Sequence, residues 1–273
     1  MKFDLFTTLI DQARGFITSY VAQLRGEPLV HPRFGDMIEY VRHTVPSASI
    51  WFNTNGLLLT PALTDRLLRT GVNGIYFSID AATEETYGEI RIGSNFAVVM
   101  QNIEYLLAVR SEGRGSIRPE IGVSFVLQDR NRHEKKPFLK KWLRTVDRVQ
   151  FYTLVEMDRR RPVKFFKPKG PRTPCKSLWN SVAVLTDGTV VPCCGDLTPV
   201  ESLGNVRQTS LEEIISGGRY LELRRLHVAG EVKSIPLCRE CDTWMAYEAR
   251  SHTMPGSGVT LSRNPLSESW MVR

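Results

Sequence analysis

The first 155 residues alternate between two hydrophobic periods, and that alternation restricts the fold more than any other feature of the chain. Phe3, Phe6, Leu9, Ile10 and Ala13 share one helical face, with Gly15 as a stop. Residues 17–24 then read as strand. Phe34, Met37, Ile38, Val41 and Val45 return to the helical spacing, and Ser49 to Asn53 suits a buried strand. Thr60 is a good N-cap ahead of Pro61, and Gly71 closes a helix carrying Leu63, Leu67 and Leu68 before a strand over 74–79. Phe96, Val99, Met100, Ile103, Leu106 and Leu107 predict the next helix. Strand over 121–127, helix over 138–143 and strand over 149–154 follow. Five strands with helices between them imply an α/β fold with parallel pairing and right-handed crossovers, whose sites gather at the carboxyl ends of the strands. A partial (β/α) parallel barrel and an open doubly wound sheet both satisfy this pattern.

The 273 residues are enough for one large or two modest domains without covalent staples. No apolar run approaches the ~18 residues that cross a bilayer, and Asp4 stands where a signal peptide would begin its apolar stretch. A cytoplasmic protein with no membrane partner is expected. Charge is uneven: between Arg130 and Arg172 there are 15 Lys and Arg against four acids, a local +11 in a chain of +7. A solvated helix face with a connecting segment accounts for this, and an anionic substrate is the alternative. No helix-turn-helix, zinc-finger or RNA-binding signature accompanies it, so nucleic acid is not expected. Neither G-x-G-x-x-G nor a P-loop occurs, which removes dehydrogenase and nucleotide-hydrolase readings.

All five cysteines lie beyond residue 174. An odd number confined to one region argues against a disulfide framework and for reduced thiols kept for metal work. Asp187-Gly188, between Val182–Leu185 and Thr189–Pro192, is a hairpin signal that draws Cys175 and Cys193 towards its open end. Cys238-x-x-Cys241 adds two thiolates on one tight loop. Together they make a four-sulfur cage for a [4Fe-4S] cluster or a zinc ion. Cys193 and Cys194 are adjacent and cannot easily both face one centre, and Cys193 keeps the four-residue spacing from Gly188.

Several segments carry a family resemblance: Pro174-Cys175, Asp187-Gly188-Thr-Val-Val-Pro-Cys193-Cys194-Gly-Asp196, Leu203-Gly204-Asn205-Val206, Ser210-Leu-Glu-Glu-Ile and Cys238-x-x-Cys241. They resemble the SPASM-type auxiliary cluster domain of radical S-adenosylmethionine (SAM) enzymes. Arg25-Gly26-Glu27-Pro28, Asn53-Thr54-Asn55-Gly56 and Ser78-Ile-Asp80 with Arg91 are similar to that family's barrel segments. The resemblance implies a radical SAM barrel over 1–158, a linker over 159–174, an auxiliary cluster domain over 175–247 and a loose tail over 248–273. It implies SAM on Gly26, Glu27, Asn53, Ser78, Asp80 and Arg91, and an auxiliary cluster on Cys175, Cys193, Cys238 and Cys241. Hydrogen abstraction from a small molecule or peptide, served by an electron-donor protein, is the activity implied.

The family's C-x3-C-x2-C loop has no counterpart, since no cysteine precedes Cys175. The chain opens with a helix where the resemblance places the first crossover helix. We therefore expect an N-terminally shortened chain, inactive in SAM cleavage as written. A non-catalytic iron–sulfur electron-transfer or docking module and a structural zinc protein remain as alternatives. No catalytic acid or base is named by the sequence.

Overall fold

Strand residues alternate between buried and half-exposed along the first half of the chain, and helices cover the buried side. The computed structural model describes residues 1–156, 161–162, 171–196, 198–247 and 249–272. In chain order the elements are α1 (Phe3–Ala13), β1 (Ser19–Val21), α2 (Phe34–Thr44), β2 (Ser49–Thr54), α3 (Pro61–Thr70) and β3 (Gly74–Ser78). There follow α4 (Glu84–Ile90), α5 (Phe96–Ser111), β4 (Glu120–Leu127), α6 (Lys135–Trp142) and β5 (Arg148–Thr153). Next come β6 (Val155–Glu156), β7 (Arg161–Pro162), α7 (Ser177–Asn180), β8 (Ala183–Val184), β9 (Thr189–Val191) and β10 (Gly204–Asn205). The chain ends with α8 (Leu211–Ser216), α9 (Gly218–Val228), β11 (Arg250–Met254), β12 (Val259–Asn264) and β13 (Ser267–Val272).

The helix signals act as the sequence predicts. The Thr60 hydroxyl accepts from the Leu63 amide at 3.3 Å, Pro61 opens α3, and Gly71 stops it in the left-handed region at φ 85°. In the 8-stranded sheet the order is β1-β2-β3-β4-β5-β13-β12-β11, with β1 to β2, β2 to β3 and β3 to β4 in parallel register. Ile50, Phe52, Ile75, Phe77, Ile121, Val123, Phe125, Val149 and Phe151 are buried on the face that the helices cover. Phe138 of α6 meets Phe125 edge-on at 4.8 Å and Phe151 at 5.9 Å. The opposite face carries Trp51, Asn53, Tyr76, Ser78 and Arg148, none fully buried. One covered face and one open face are those of a barrel arc, and a doubly wound sheet would bury both.

On the open face, aromatic rings lie over glycines of the neighbouring strand. A Cβ on Gly74 would come within 2.1 Å of Trp51, and one on Gly122 within 2.3 Å of Tyr76. Trp51 and Tyr76 stack at 5.9 Å, and the Tyr76 hydroxyl donates to Glu120 Oε1 at 2.5 Å.

Two expectations need correction. The first strand spans only Ser19–Val21, because it lies at an edge of the sheet and pairs on one side. The segment expected as a loose tail forms β11, β12 and β13, and β13 runs antiparallel to β5 with Ser267 opposite Tyr152 and Met271 opposite Arg148. Two compact units are present, each built from separate stretches of chain: one is 1–16, 153–250 and 264–266, and the other is 17–152, 251–263 and 267–273. Helix α1 groups with the cysteine-bearing unit because the Leu211 amide of α8 donates to Gln12 Oε1 at 2.8 Å. Most of the linker expected over 159–174, namely 159–160 and 163–170, lies outside the described residues.

Candidate functional site

In the unit formed mainly by 17–152, the six residues singled out in the sequence stand in or after the carboxyl-terminal ends of β1, β2 and β3. Gly26 adopts φ 74°, with nothing within 4 Å of the position a Cβ would take. Glu27 is a fastening residue: its Oε1 accepts from the Leu29 amide at 3.1 Å and the Thr54 hydroxyl at 2.7 Å, and its Oε2 from the Asn55 amide at 2.6 Å. One of the four lone pairs on that carboxylate remains for a ligand. Asn53 and Ser78 lie on the open face, Asn53 exposed and Ser78 half-buried.

Asp80 is the one non-glycine at positive φ, 64°, among the described residues. It is buried, accepts from the Val126 amide at 2.6 Å and pairs with Arg91. Burial pushes its carboxyl up, and Arg91 and the Val126 amide act against that. Arg91 therefore spends its charge on Asp80, and its Nε is buried without a partner.

Two neighbours were missed by sequence reasoning. Asn131, fully buried, donates to the Asp80 carbonyl at 2.8 Å and to the Val126 carbonyl at 2.9 Å. Glu134 accepts from the Ala82 amide at 2.6 Å and the Thr83 hydroxyl at 2.5 Å, at the start of α4. Both sit inside a run of basic residues that reads as solvated surface, so composition hides them.

In the cysteine-bearing unit, β8 and β9 form the expected hairpin with Val184 opposite Val190, and β10 adds a third strand. Gly188 turns at φ 95°, and a Cβ there would meet Asn205 Oδ1 at 2.8 Å, so both conformation and space require glycine. Cys193 follows β9, Cys175 precedes α7, and Cys238 and Cys241 lie on the loop after α9. Cys193 and Cys238 pack against the core of Leu178, Tyr220, Leu223, Leu226, Val232, Ile235 and Leu237, whereas Cys194 is exposed.

The thiols feel one another. Burial first, then Cys193, Cys241 and Cys175, pushes Cys238 up to about 12, with Arg172 acting in the opposite direction. Among the described residues no three His, Cys, Asp or Glu side chains converge closely enough for a single metal ion. Three cysteines close enough to act electrostatically on a fourth make an all-sulfur donor set of the kind an iron–sulfur core takes, and the cationic core would hold such thiols deprotonated. The donor set fits an iron–sulfur cluster on these grounds.

The surroundings of the cysteines are polar and fastened. Asp196, fully buried, accepts from the Val200 amide at 3.0 Å and the Glu201 amide at 3.1 Å, while its own amide donates to the Cys193 carbonyl at 3.1 Å. Arg172 donates to the Cys238 carbonyl at 2.9 Å and lies 5.9 Å from the Trp244 ring centre. The Cys175 amide donates to His227 Nδ1 at 3.2 Å, and burial, then the Arg172 charge, pushes His227 down to about 4.

Comparison with known proteins agrees with both halves. The model of the radical SAM superfamily matches residues 3–118, and that of the SPASM iron–sulfur cluster-binding domain matches residues 175–242. The chain is 29% identical over 275 residues to the tungsten-containing aldehyde ferredoxin oxidoreductase cofactor-modifying protein of Pyrococcus furiosus, covering 82% of this chain and 75% of that one. It is 29% identical over 123 residues to the mycofactocin maturase MftC of Mycobacterium tuberculosis, covering 45% of this chain and 29% of that protein. Among solved structures, anSMEcpe with bound AdoMet has a TM-score of 0.61 at 16% identity, covering 88% of this chain and 80% of that one. Streptococcus suis SuiB bound to its precursor peptide SuiA has a TM-score of 0.63 at 11% identity, covering 81% and 59%. These structural likenesses establish the fold. No helix among the described residues is long and apolar enough to cross a membrane.

Proposed function

Because the chain belongs to the radical SAM/SPASM family, we propose that it holds an auxiliary [4Fe-4S] cluster on Cys175, Cys193, Cys238 and Cys241. The protein it serves in would modify a peptide or a small cofactor by radical chemistry. The observation that carries this reading is that Cys193, Cys241 and Cys175 all act electrostatically on the buried Cys238 thiol, with Cys194 exposed. When bound, the cluster would supply one-electron transfer.

The chain's own residues do the rest. The buried Asp196 holds the stretch after Cys193 and Cys194 by two backbone amides. Arg172 fastens the Cys238 carbonyl and brings positive charge to a cage of thiolates. The apolar cluster under Cys193 and Cys238 keeps water from one side of the cage.

SAM is the family's cofactor, and Gly26, Glu27, Asn53, Ser78, Asp80 and Arg91 would line its site. Residues 1–174 contain no cysteine, so the three thiolates of a SAM-binding cluster are not supplied there. The substrate class is read from relatives and neighbours: one is a cofactor-modifying protein, another a mycofactocin maturase, and SuiB is bound to a precursor peptide. The basic run adds an anionic substrate as a subsidiary reading, although Lys136, Lys140 and Lys141 are exposed on α6 as a solvated face would be. Thiols kept for metal work favour a reducing, cytoplasmic setting and an electron-donor protein as partner.

Anaerobic reconstitution with iron and sulfide tests the proposal. About four irons per chain, with acid-labile sulfide in equal amount, is the expected result. No iron uptake, or colourless protein holding one zinc per chain, would overturn it.

A further inference from the structure

His227 lies in α9, 2% exposed, on a face of the helix that also buries Tyr220 and Leu223. A buried imidazole normally satisfies both nitrogens. Here one is accounted for: the Cys175 amide donates to Nδ1 at 3.2 Å. That contact fixes the tautomer, because a nitrogen that accepts cannot carry the proton, so Nε2 holds it. Nε2 is buried and has no acceptor among the described residues.

Leaving such a donor unmade in a buried place is costly, so an acceptor outside the described residues is implied. The position narrows what it is. The ring is bonded to the backbone of Cys175, and Arg172, whose charge acts on the ring, donates to the carbonyl of Cys238. Two of the four proposed ligands thus border the same buried patch, where the Arg172 Nε is also without an acceptor.

We propose that His227 donates its Nε2–H to a sulfur of the auxiliary cluster and thereby raises the cluster's reduction potential. The inference rests on the proposed cluster site and adds a positioning role for a residue outside the four ligands. A hydrogen bond to sulfur stabilises the more negative, reduced core, so its loss makes reduction harder. A buried water is the competing acceptor, and it would leave the cluster's properties unchanged.

The test uses the reconstituted full chain, reduced with dithionite, with [15N]histidine incorporated. Pulsed EPR is expected to show a weakly coupled nitrogen whose frequency follows the isotope. In a redox titration His227→Leu should lower the reduction equilibrium constant about tenfold, equivalent to about 59 mV for one electron. His227→Gln, which keeps an N–H donor of similar reach, should restore most of that difference. A full cluster with no coupled nitrogen and identical potentials in both variants would overturn the role of His227 while leaving the cluster reading intact. Absence of iron from the wild-type chain would overturn both, and the labelled wild-type spectrum decides the matter even if His227→Leu does not fold.

Discussion

The Asn55 amide donates to Glu27 Oε2 at 2.6 Å and thereby ties the turn after β2 to the turn after β1. With the Leu29 amide and the Thr54 hydroxyl on Oε1, three donors converge on one half-buried carboxylate. Glu27→Ala strands those donors and should lower unfolding stability by ~1–3 kcal/mol. Urea denaturation checks it, and an unchanged midpoint would show that Glu27 does not fasten these turns.

Glu134 predicts a pH effect. Burial pushes its carboxyl up, but the Thr83 hydroxyl and the Ala82 amide outweigh burial and hold it below the usual range. A group depressed in the folded state adds stability above its unfolded pKa and loses it as pH falls through the folded value. Stability of the wild type should therefore decline below about pH 4.3 more steeply than that of Glu134→Gln. Parallel acid limbs in thermal melts of the two proteins would refute this.

Asp196 gives a third expectation. It is fully buried and its carboxylate holds the amides of Val200 and Glu201, so Asp196→Ala exposes no new ligand but releases the stretch that follows Cys194. The variant should lose ~1–3 kcal/mol and release reconstituted iron to a chelator faster than wild type. Wild-type release rates in Asp196→Ala would separate this carboxylate from the cage.

Phe138 tests the packing of the sheet's covered face. It is fully buried between Phe125 and Phe151, and truncation to Ala should cost ~3–5 kcal/mol. A loss below 1 kcal/mol in denaturant titration would mean that α6 does not cover this face.

Particular residues show what the sequence could convey. Thr60, Pro61 and Gly71 act through their own backbone neighbours, so the bounds of α3 were legible. The hairpin at Asp187-Gly188 was legible for the same reason: the Asp187 side chain accepts from the Thr189 amide at 2.9 Å. Strand β13 was not, because its pairing partner Arg148–Thr153 lies more than a hundred positions away and its Ser-rich pattern has no apolar face of its own. The role of Glu27 was half legible. Its segment stands out by resemblance, but the donors on its carboxylate come from Thr54 and Asn55, across a strand. His227 and Asn131 were invisible, since a lone buried polar residue leaves no local pattern and its partners are set by tertiary structure.

The Mössbauer spectrum of the chain reconstituted with 57Fe, compared across Cys193→Ser and Cys194→Ser, examines the cysteine site without intermediaries. The account predicts tetrahedral, sulfur-ligated iron with the valence-delocalised signature of a [4Fe-4S] core in the wild type, retained in Cys194→Ser and lost or degraded in Cys193→Ser. Mononuclear iron in the wild type, or loss in Cys194→Ser with retention in Cys193→Ser, would contradict it.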